Sequence, residues 1–162
     1  MEKRKGKMSA VVQKEHVRAL KSIVGHFMAR AECDGCIICD GGGHVLLQSG
    51  AGISNPLLLA ALGAGVFGGS RELAQMLGEE DFSVVFHQGE HKSIFIRAVN
   101  SEILLVVTFS KQDSAGLVKL YSGPAAERID AMFETIEEDG EQVHHEEKTF
   151  VLKTDEAVFK AV

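Results

Sequence analysis

Three strand-like runs near the middle of the chain constrain its fold more than any other feature. They span residues 82–87, 93–99 and 102–109 and are rich in β-branched and aromatic residues. The first two are joined around Gly89, and the last two meet across Asn100-Ser101. Connections this short leave room only for hairpins, so the three strands are predicted to be antiparallel neighbours. Residues 103–107 are apolar at every position, which predicts a central strand covered on both faces.

The rest of the chain predicts a third hairpin and three helices. Residues 36–39 and 45–47 favour two short strands, because the turn residues 40–43 (Asp-Gly-Gly-Gly) separate them. Ser9 can cap a helix that runs to about residue 30. Its predicted core stripe is Val12, His16, Ala19, Leu20, Ile23 and Phe27. Asn55-Pro56 begins a second helix, predicted to end near Leu77 because Gly78 follows.

The last helical region spans residues 114–138, and Ser122-Gly123-Pro124 is predicted to kink or break it. The element order is then helix, two strands, helix, three strands, helix, which defines an α+β domain with its sheet between helical layers. We assign this domain to residues 9–137. A basic arm (1–8) precedes it, and an acidic, flexible linker with an apolar tail (138–162) follows.

Composition narrows the class of protein. The chain has 162 residues, 45% of them hydrophobic and 25% charged, which suits one soluble globular domain. A net charge of −6 argues against nucleic acid as a partner, because phosphate binding needs a basic face. The short basic arm holds Lys3, Arg4, Lys5 and Lys7. In a secretion signal an apolar run would follow such an arm, and here none does. No segment reaches the length of uninterrupted apolar residues that a membrane span requires, so we expect a cytoplasmic protein.

Cys33, Cys36 and Cys39 have the spacing with which iron–sulfur ligation begins. The fourth cysteine of that pattern is missing, since Gly43 occupies its position. Strand alternation would also point Cys33 and Cys39 to one face and Cys36 to the other. Buried cysteines that act as small hydrophobes are therefore the favoured interpretation, and a redox or metal protein stays the alternative from another functional class.

The helix after Asn55 contains Gly63-x-Gly65-x-x-Gly68, which matches the dinucleotide-binding fingerprint in letters only. That motif must lie in a turn between a strand and a helix, whereas here helical sequence precedes the first glycine. On a helical wheel the predicted core stripe is Leu58, Leu62, Val66, Leu73 and Leu77. A second face, predicted to pack against another subunit or a partner, holds Ala61, Ala64, Gly65, Gly68, Arg71, Glu72 and Gln75.

Catalytic and metal-binding patterns are not evident in the sequence. His87, His91, His144 and His145 lack a recognised metal spacing, and solvated polar side chains are the favoured interpretation. No trio of serine, histidine and acid stands out, nor does a pair of carboxylates. We therefore expect a protein that is not an enzyme and that needs no cofactor and no metal.

Taken together, these segments resemble the roadblock/dynein-light-chain family, and within it the bacterial MglB-type proteins. The resemblance covers about residues 9–137 and is best over residues 78–120. There it rests on Phe82, Phe86-His87-x-Gly89, the apolar strand 103–107 and Ser114-x-Gly116-Leu117-Val118. In the first half it rests on Asp40-x-x-Gly43 and on the small-residue helix LLAALGAGVFGGSRELAQMLG.

The resemblance implies a five-stranded antiparallel sheet with one helix on one face and two on the other. It also implies homodimers that pair the edge strand carrying Phe82, Val84 and Phe86 and that pack the helices of residues 55–77 together. MglB-type dimers bind a small Ras-like GTPase and stimulate hydrolysis by positioning its own catalytic groups, so Arg71 is not expected to act as an arginine finger. A C-terminal helix that reaches the GTPase is similar to residues 154–159, which include Val158 and Phe159.

Two functions follow from the resemblance. The first is a homodimeric regulator of a small Ras-like GTPase, activating hydrolysis or modulating exchange, in cell polarity or motility. The second is a roadblock adaptor that scaffolds other proteins and leaves nucleotide turnover unchanged. Turnover of the GTPase with and without the protein separates the two.

Overall fold

A computed structural model describes the backbone of residues 13–160 and the side chains of residues 13–141. The described chain forms three helices and five strands in the predicted order. The elements are α1 (Lys14–Ala31), β1 (Gly35–Asp40), β2 (Val45–Ser49), α2 (Pro56–Met76), β3 (Val84–Gln88), β4 (Ser93–Ala98), β5 (Ile103–Phe109) and α3 (Ser114–Lys160). Ser9, Val12 and the basic arm lie outside the described residues.

The five strands form one antiparallel sheet in the order β2-β1-β5-β4-β3. This confirms the α+β fold and both hairpins that the short connections predicted. Strand β5 lies at the centre, and each of its seven residues is buried, as its unbroken apolar run predicted. Strand β3 lies at one edge and begins at Val84, so Phe82 precedes the strand instead of belonging to it.

Side chains of polar turn residues fix the hairpins. In the turn between β1 and β2, Asp40 Oδ1 accepts hydrogen bonds from the backbone N–H groups of Gly42 (3.0 Å) and His44 (2.9 Å). Before β5, Asn100 Oδ1 accepts from the N–H of Ile103 at 2.8 Å, and its Nδ2 donates to Asp130 on α3 at 2.8 Å. These bonds satisfy backbone donors that the turns leave free, and they hold the register of the sheet.

The sheet separates two apolar clusters, one under each helical layer. Alternate residues of β5 contribute to both: Leu105 and Val107 pack beneath α1 and α3, whereas Leu104 and Val106 pack beneath α2. The domain therefore has α2 alone on one face of the sheet and the α1–α3 pair on the other, as the resemblance implied. A surface on α2 and a surface on the α1–α3 layer consequently face opposite directions.

Helix α2 lies with the predicted core stripe turned away from the sheet, so the prediction for this stripe was wrong. Leu58, Leu62, Val66, Leu73 and Leu77 are all exposed. The buried side of α2 consists of Ala60, Gly63, Ala64, Phe67 and Ala74. A Cβ added at Gly63 would lie 3.5 Å from Val106 and 3.6 Å from Ile96, in ordinary contact distance. The helix thus approaches the sheet closely, and small residues face it for that reason.

Helix α1 buries His16, Leu20, Ile23, Val24, Phe27 and Ala31. Four residues of the predicted stripe are buried as expected, namely His16, Leu20, Ile23 and Phe27. Ala19 is half-buried at the margin of the stripe. His16 lies at the first turn, where its Nδ1 accepts from the N–H of Gln13 at 3.2 Å. Its Nε2 lies 2.9 Å from Asp139 Oδ2, which joins the start of α1 to the second half of α3. The two helices therefore run antiparallel.

Helix α3 is continuous from Ser114 to Lys160, so it does not break at residues 122–124, and the backbone after residue 137 is helical where a flexible linker was predicted. Pro124 removes one helical hydrogen bond, at a cost of about 3 kcal/mol. Buried contacts on either side offset it: Ser122 accepts from Arg97 Nε at 2.8 Å and donates to the Lys119 carbonyl at 3.2 Å, and Ile129 packs into the core. The tail from residue 138 as a separate functional segment stays a prediction.

Candidate protein-interaction surface

A stripe of large apolar side chains is exposed along α2, and we call it the leucine stripe. It consists of Leu58, Leu62, Val66, Leu73, Met76 and Leu77. Leu62 and Leu73 are 60% and 58% exposed, and Met76 is 83% exposed. Single apolar residues on a surface are ordinary, but a contiguous stripe along a 21-residue helix is typical of a protein–protein contact.

A second exposed face lies beside the leucine stripe, and we call it the glycine face. Its members are Ala61, Gly65, Gly68, Glu72 and Gln75, all exposed. A Cβ added at Gly65 or Gly68 would meet nothing within 4 Å in the described part of the chain. Packing inside this protomer therefore does not require glycine at either position, although each costs about 1 kcal/mol of helix stability relative to alanine. The small residues leave room for another backbone to approach.

The other two residues predicted on this face lie elsewhere. Ala64 is buried against the sheet, so it does not share the exposed face with Gly65 and Gly68. Arg71 is half-exposed and engaged within the domain. Its Nε lies 3.1 Å from Asp81 Oδ2, and its guanidinium carbon lies 5.3 Å from the centroid of the Phe67 ring. These contacts direct the guanidinium toward its own domain.

Strand β3 forms an open edge of the sheet, next to α2 in sequence. It pairs with β4 on one side, from Val84 opposite Arg97 to Gln88 opposite Ser93, and its other side carries unpaired backbone groups. Val84 is half-buried, whereas Phe86 is 43% exposed and stacks on Phe109 with ring centroids 5.9 Å apart. The open edge is therefore held rigid by the core beneath it.

The C-terminal residues named from the resemblance lie on the far part of α3. The backbone of Val158 and Phe159 is helical, and their side chains lie outside the described part of the chain. Their contact with a partner stays a prediction.

The three cysteines lie on both faces of the sheet. Cys36 packs in the cluster beneath α1 and α3 with Cys33 at its margin, whereas Cys39 packs in the cluster beneath α2. The prediction that Cys33 and Cys39 share a face was wrong, because β1 begins only at Gly35 and strand alternation does not extend back to Cys33. Among the side chains of residues 13–141, no three His, Cys, Asp or Glu residues are placed to hold a metal ion.

Burial raises the pKa of Cys33 and of Cys39 to about 11, and it raises the pKa of Cys36 further. The thiolate is the reactive form, so at pH 8 half-buried Cys33 should react with iodoacetamide roughly 100-fold more slowly than an ordinary thiol. Its rate should keep rising with pH toward 11, because a raised pKa keeps the thiol protonated below that value. Mass spectrometry of the labelled protein measures the rate, with guanidinium-unfolded protein as the control. Fast labelling of Cys36 in the native state at pH 7 would contradict the burial.

Helix α2 is also long and apolar enough to cross a membrane, judged by length and composition alone. One of its sides packs against the sheet through Phe67 and Ala74, as in an amphipathic helix of a globular domain. The apolar residues that raise its hydropathy are those of the leucine stripe. Their exposure is accounted for if another protein surface covers them.

Sequence reasoning missed the exposure of the leucine stripe and the part that Met76 plays in it. An indication was present in the composition of α2. Its buried side offers mostly alanine and glycine, whereas the opposite side offers leucine, so the helix has two apolar faces in place of one. A helix that is apolar on two sides is buried on two sides.

The five-stranded antiparallel sheet between α2 and the α1–α3 pair defines a class of small α+β domains. Residues 22–109 match the Roadblock/LC7 domain, and the chain belongs to this family. Among solved structures, it is similar to the gliding protein MglB from Thermus thermophilus, at 25% identity over 80% of this chain and 98% of that one, with a TM-score of 0.71.

Two further structures support this placement. An MglB described with a tetrameric arrangement is 25% identical over 80% of this chain and 98% of its own, with a TM-score of 0.74. MglB from Myxococcus xanthus is 26% identical over 78% of this chain and 95% of its own, with a TM-score of 0.70. No curated protein sequence matches the chain at a significant level. The identification as a roadblock protein of the MglB kind is therefore confirmed.

Proposed function

We propose that the protein is a cytoplasmic homodimer that binds a small Ras-like GTPase and regulates its nucleotide cycle, in cell polarity or motility. The observation that carries the proposal is the pair of exposed faces on α2, the leucine stripe and the glycine face. The similarity to MglB structures, one of which is described as a gliding protein, supports the cellular process. The protein itself is proposed not to be an enzyme.

The leucine stripe and the β3 edge are the two features that support a dimer. Fully burying a leucine side chain is worth roughly 1.5–3 kcal/mol. Six large apolar residues in each copy therefore supply a substantial driving force for association, even after the cost of ordering two proteins. Strand β3 begins eight residues after α2 ends, so the stripe and the open edge come from adjoining segments. A second copy that covers the stripe and pairs with β3 would bury both unpartnered features.

The GTPase is assigned to the glycine face. The described packing of this protomer does not require glycine at Gly65 or Gly68. The neighbouring Glu72 and Gln75 offer polar groups for recognition. A close backbone approach at the glycines would let the protein position a switch segment of the GTPase. Because Arg71 is engaged with Asp81, regulation is proposed to act by ordering the GTPase's own catalytic groups.

The test is nucleotide turnover by a small Ras-like GTPase of the same organism. Single-turnover GTP hydrolysis and release of a fluorescent GDP analogue are measured with and without the protein. We expect either rate to rise by about tenfold or more, since positioning alone contributes factors of this size or larger. Complex formation without a change in either rate would favour the adaptor function. Failure of the proteins to form a complex with either nucleotide would contradict the proposal.

Deleting residues 148–162 tests the role of the tail. If the tail serves as a partner contact and not as part of the core, the thermal midpoint and the dimer should stay nearly unchanged, because the core contacts of Ile136 and Asp139 on α3 are retained. GTPase affinity or nucleotide release should change if the tail contacts the GTPase. Calorimetry measures the midpoint, and titration of the labelled GTPase measures affinity. A large drop in the midpoint with normal GTPase behaviour would show that the tail belongs to the core.

A further inference from the structure

A groove runs between α1 and α3 on the face of the sheet opposite α2, and we call it the α1/α3 groove. It consists of two depressions, both of which are lined by Ile23 and Arg128. One part is a cavity of about 130 Å³ near the end of α1, lined by Ile23, His26, Phe27, Arg30, Tyr121, Pro124, Ala125 and Arg128. The other is an open channel of about 420 Å³, lined by Ala19, Ser22, Ile23, Arg128, Ala131, Met132 and Thr135.

The cavity is cationic in an acidic protein. His26, Arg30 and Arg128 line it, and no aspartate or glutamate does. The ion pairs among the described side chains lie elsewhere, so neither Arg30 nor Arg128 has a carboxylate of this part of the chain within 4.0 Å. For a chain with net charge −6, two arginines at one depression whose described lining holds no carboxylate are a local excess of positive charge.

The geometry of the cavity suits a carboxylate on an apolar stem. The guanidinium carbon of Arg30 lies 5.6 Å from the centroid of the Tyr121 ring, and this stacking restrains the planar group. A guanidinium pairs with a carboxylate through two parallel hydrogen bonds. Buried Ile23 and Phe27 form an apolar floor. The volume equals roughly that of four water molecules, enough for one acidic side chain.

The channel indicates that this side chain belongs to a peptide. It adjoins the cavity at Ile23 and Arg128, and four of its other lining side chains are small: Ala19, Ser22, Ala131 and Thr135. Met132 offers an adaptable apolar surface at its base. A segment that carries an acidic residue followed by small or apolar residues would fill both parts at once.

We propose that the α1/α3 groove binds an acidic peptide segment of a protein partner, with one carboxylate held in the cavity by Arg30 and Arg128. The groove lies on the opposite sheet face from the leucine stripe and the glycine face, so this proposal does not rest on the dimer or on the GTPase. The protein would then hold this partner and the GTPase together.

The probe is a short capped peptide of alanine, serine and leucine with two glutamates, compared with its glutamine counterpart. Amide chemical shifts of the full chain are followed by NMR during titration. We expect shifts at residues 19–30 and 121–135, with the glutamate peptide binding about tenfold or more tightly, as expected for charge-assisted hydrogen bonds. The double variant Arg30→Ala and Arg128→Ala should abolish this difference, whereas Arg18→Ala, exposed on α1 outside the groove, should keep it.

Equal binding of the two peptides, or unchanged glutamate-peptide binding in the double variant, would overturn the proposal. Glutarate and inorganic phosphate are titrated as separate probes. If either binds at the cavity as tightly as the glutamate peptide, the ligand is a free anion and the peptide assignment is wrong. Circular dichroism confirms that the double variant is folded, which is expected because Arg30 and Arg128 are both exposed.

Discussion

Replacing Leu62 and Leu73 by glutamate together is expected to convert the dimer into a folded monomer. Each dimer would lose four buried leucines and would have to bury four carboxylates without partners. The dimer dissociation constant should therefore rise by about a thousandfold or more. Light scattering at micromolar concentration measures the mass, and the far-ultraviolet circular dichroism should keep the native helix content because both side chains are exposed in the protomer.

The matched control is Leu120→Glu, a leucine that is 64% exposed on α3, on the other side of the sheet. This variant should remain a dimer. A wild-type protein that is monomeric at micromolar concentration, or a double variant that still dimerises with wild-type affinity, would show that the leucine stripe has another occupant. Loss of the dimer also lowers the apparent melting temperature by mass action. The molecular mass from light scattering therefore decides the outcome, and the melting temperature does not.

Gly68→Arg is expected to weaken GTPase binding by about a hundredfold or more without unfolding the domain. A Cβ at this position meets nothing within 4 Å, and replacing glycine in a helix interior should add about 1 kcal/mol of stability. A long charged side chain on the glycine face would hold an approaching backbone away. Titration of the labelled GTPase measures the loss, and light scattering reports whether the dimer persists.

Gly25→Arg is the control, since Gly25 is an exposed glycine within α1 that also has open space around it. It should leave GTPase binding unchanged. Disruption of the dimer by Gly68→Arg would assign the glycine face to subunit pairing instead. Unchanged binding together with an unchanged dimer would show that this face does neither.

The sheet was predictable because local rules decide it. Two connections too short for a crossover fixed three antiparallel neighbours, and Asp40 and Asn100 satisfy the turns as their residue types suggest. The all-apolar run of β5 could occupy only the centre. None of these inferences required knowledge of a partner, since the turn residues and β5 find their contacts inside the protomer.

The orientation of α2 was not predictable by the same rules. Assigning the leucines to the core assumes that the largest apolar side chains face the chain's own sheet. Here the side of α2 that packs on the sheet consists of Phe67 and four small residues, and the leucines face outward. The predicted break in α3 was wrong for a related reason. Pro124 argued locally for a break, whereas core packing of α3 around the proline, through Ala125 and Ile129, maintains the helix there.

The two exposed faces of α2 place different demands on sequence change. A surface that meets a copy of itself can be repaired by a second substitution in the same gene, because one mutation alters both sides of the contact. A surface that meets another protein can be repaired only by a change in a second gene. The leucine stripe should therefore drift through correlated substitutions within this chain, whereas Gly65 and Gly68 should vary in step with residues of the GTPase. Alignments of this protein together with its GTPase would therefore distinguish the two faces of α2 by which residues vary together.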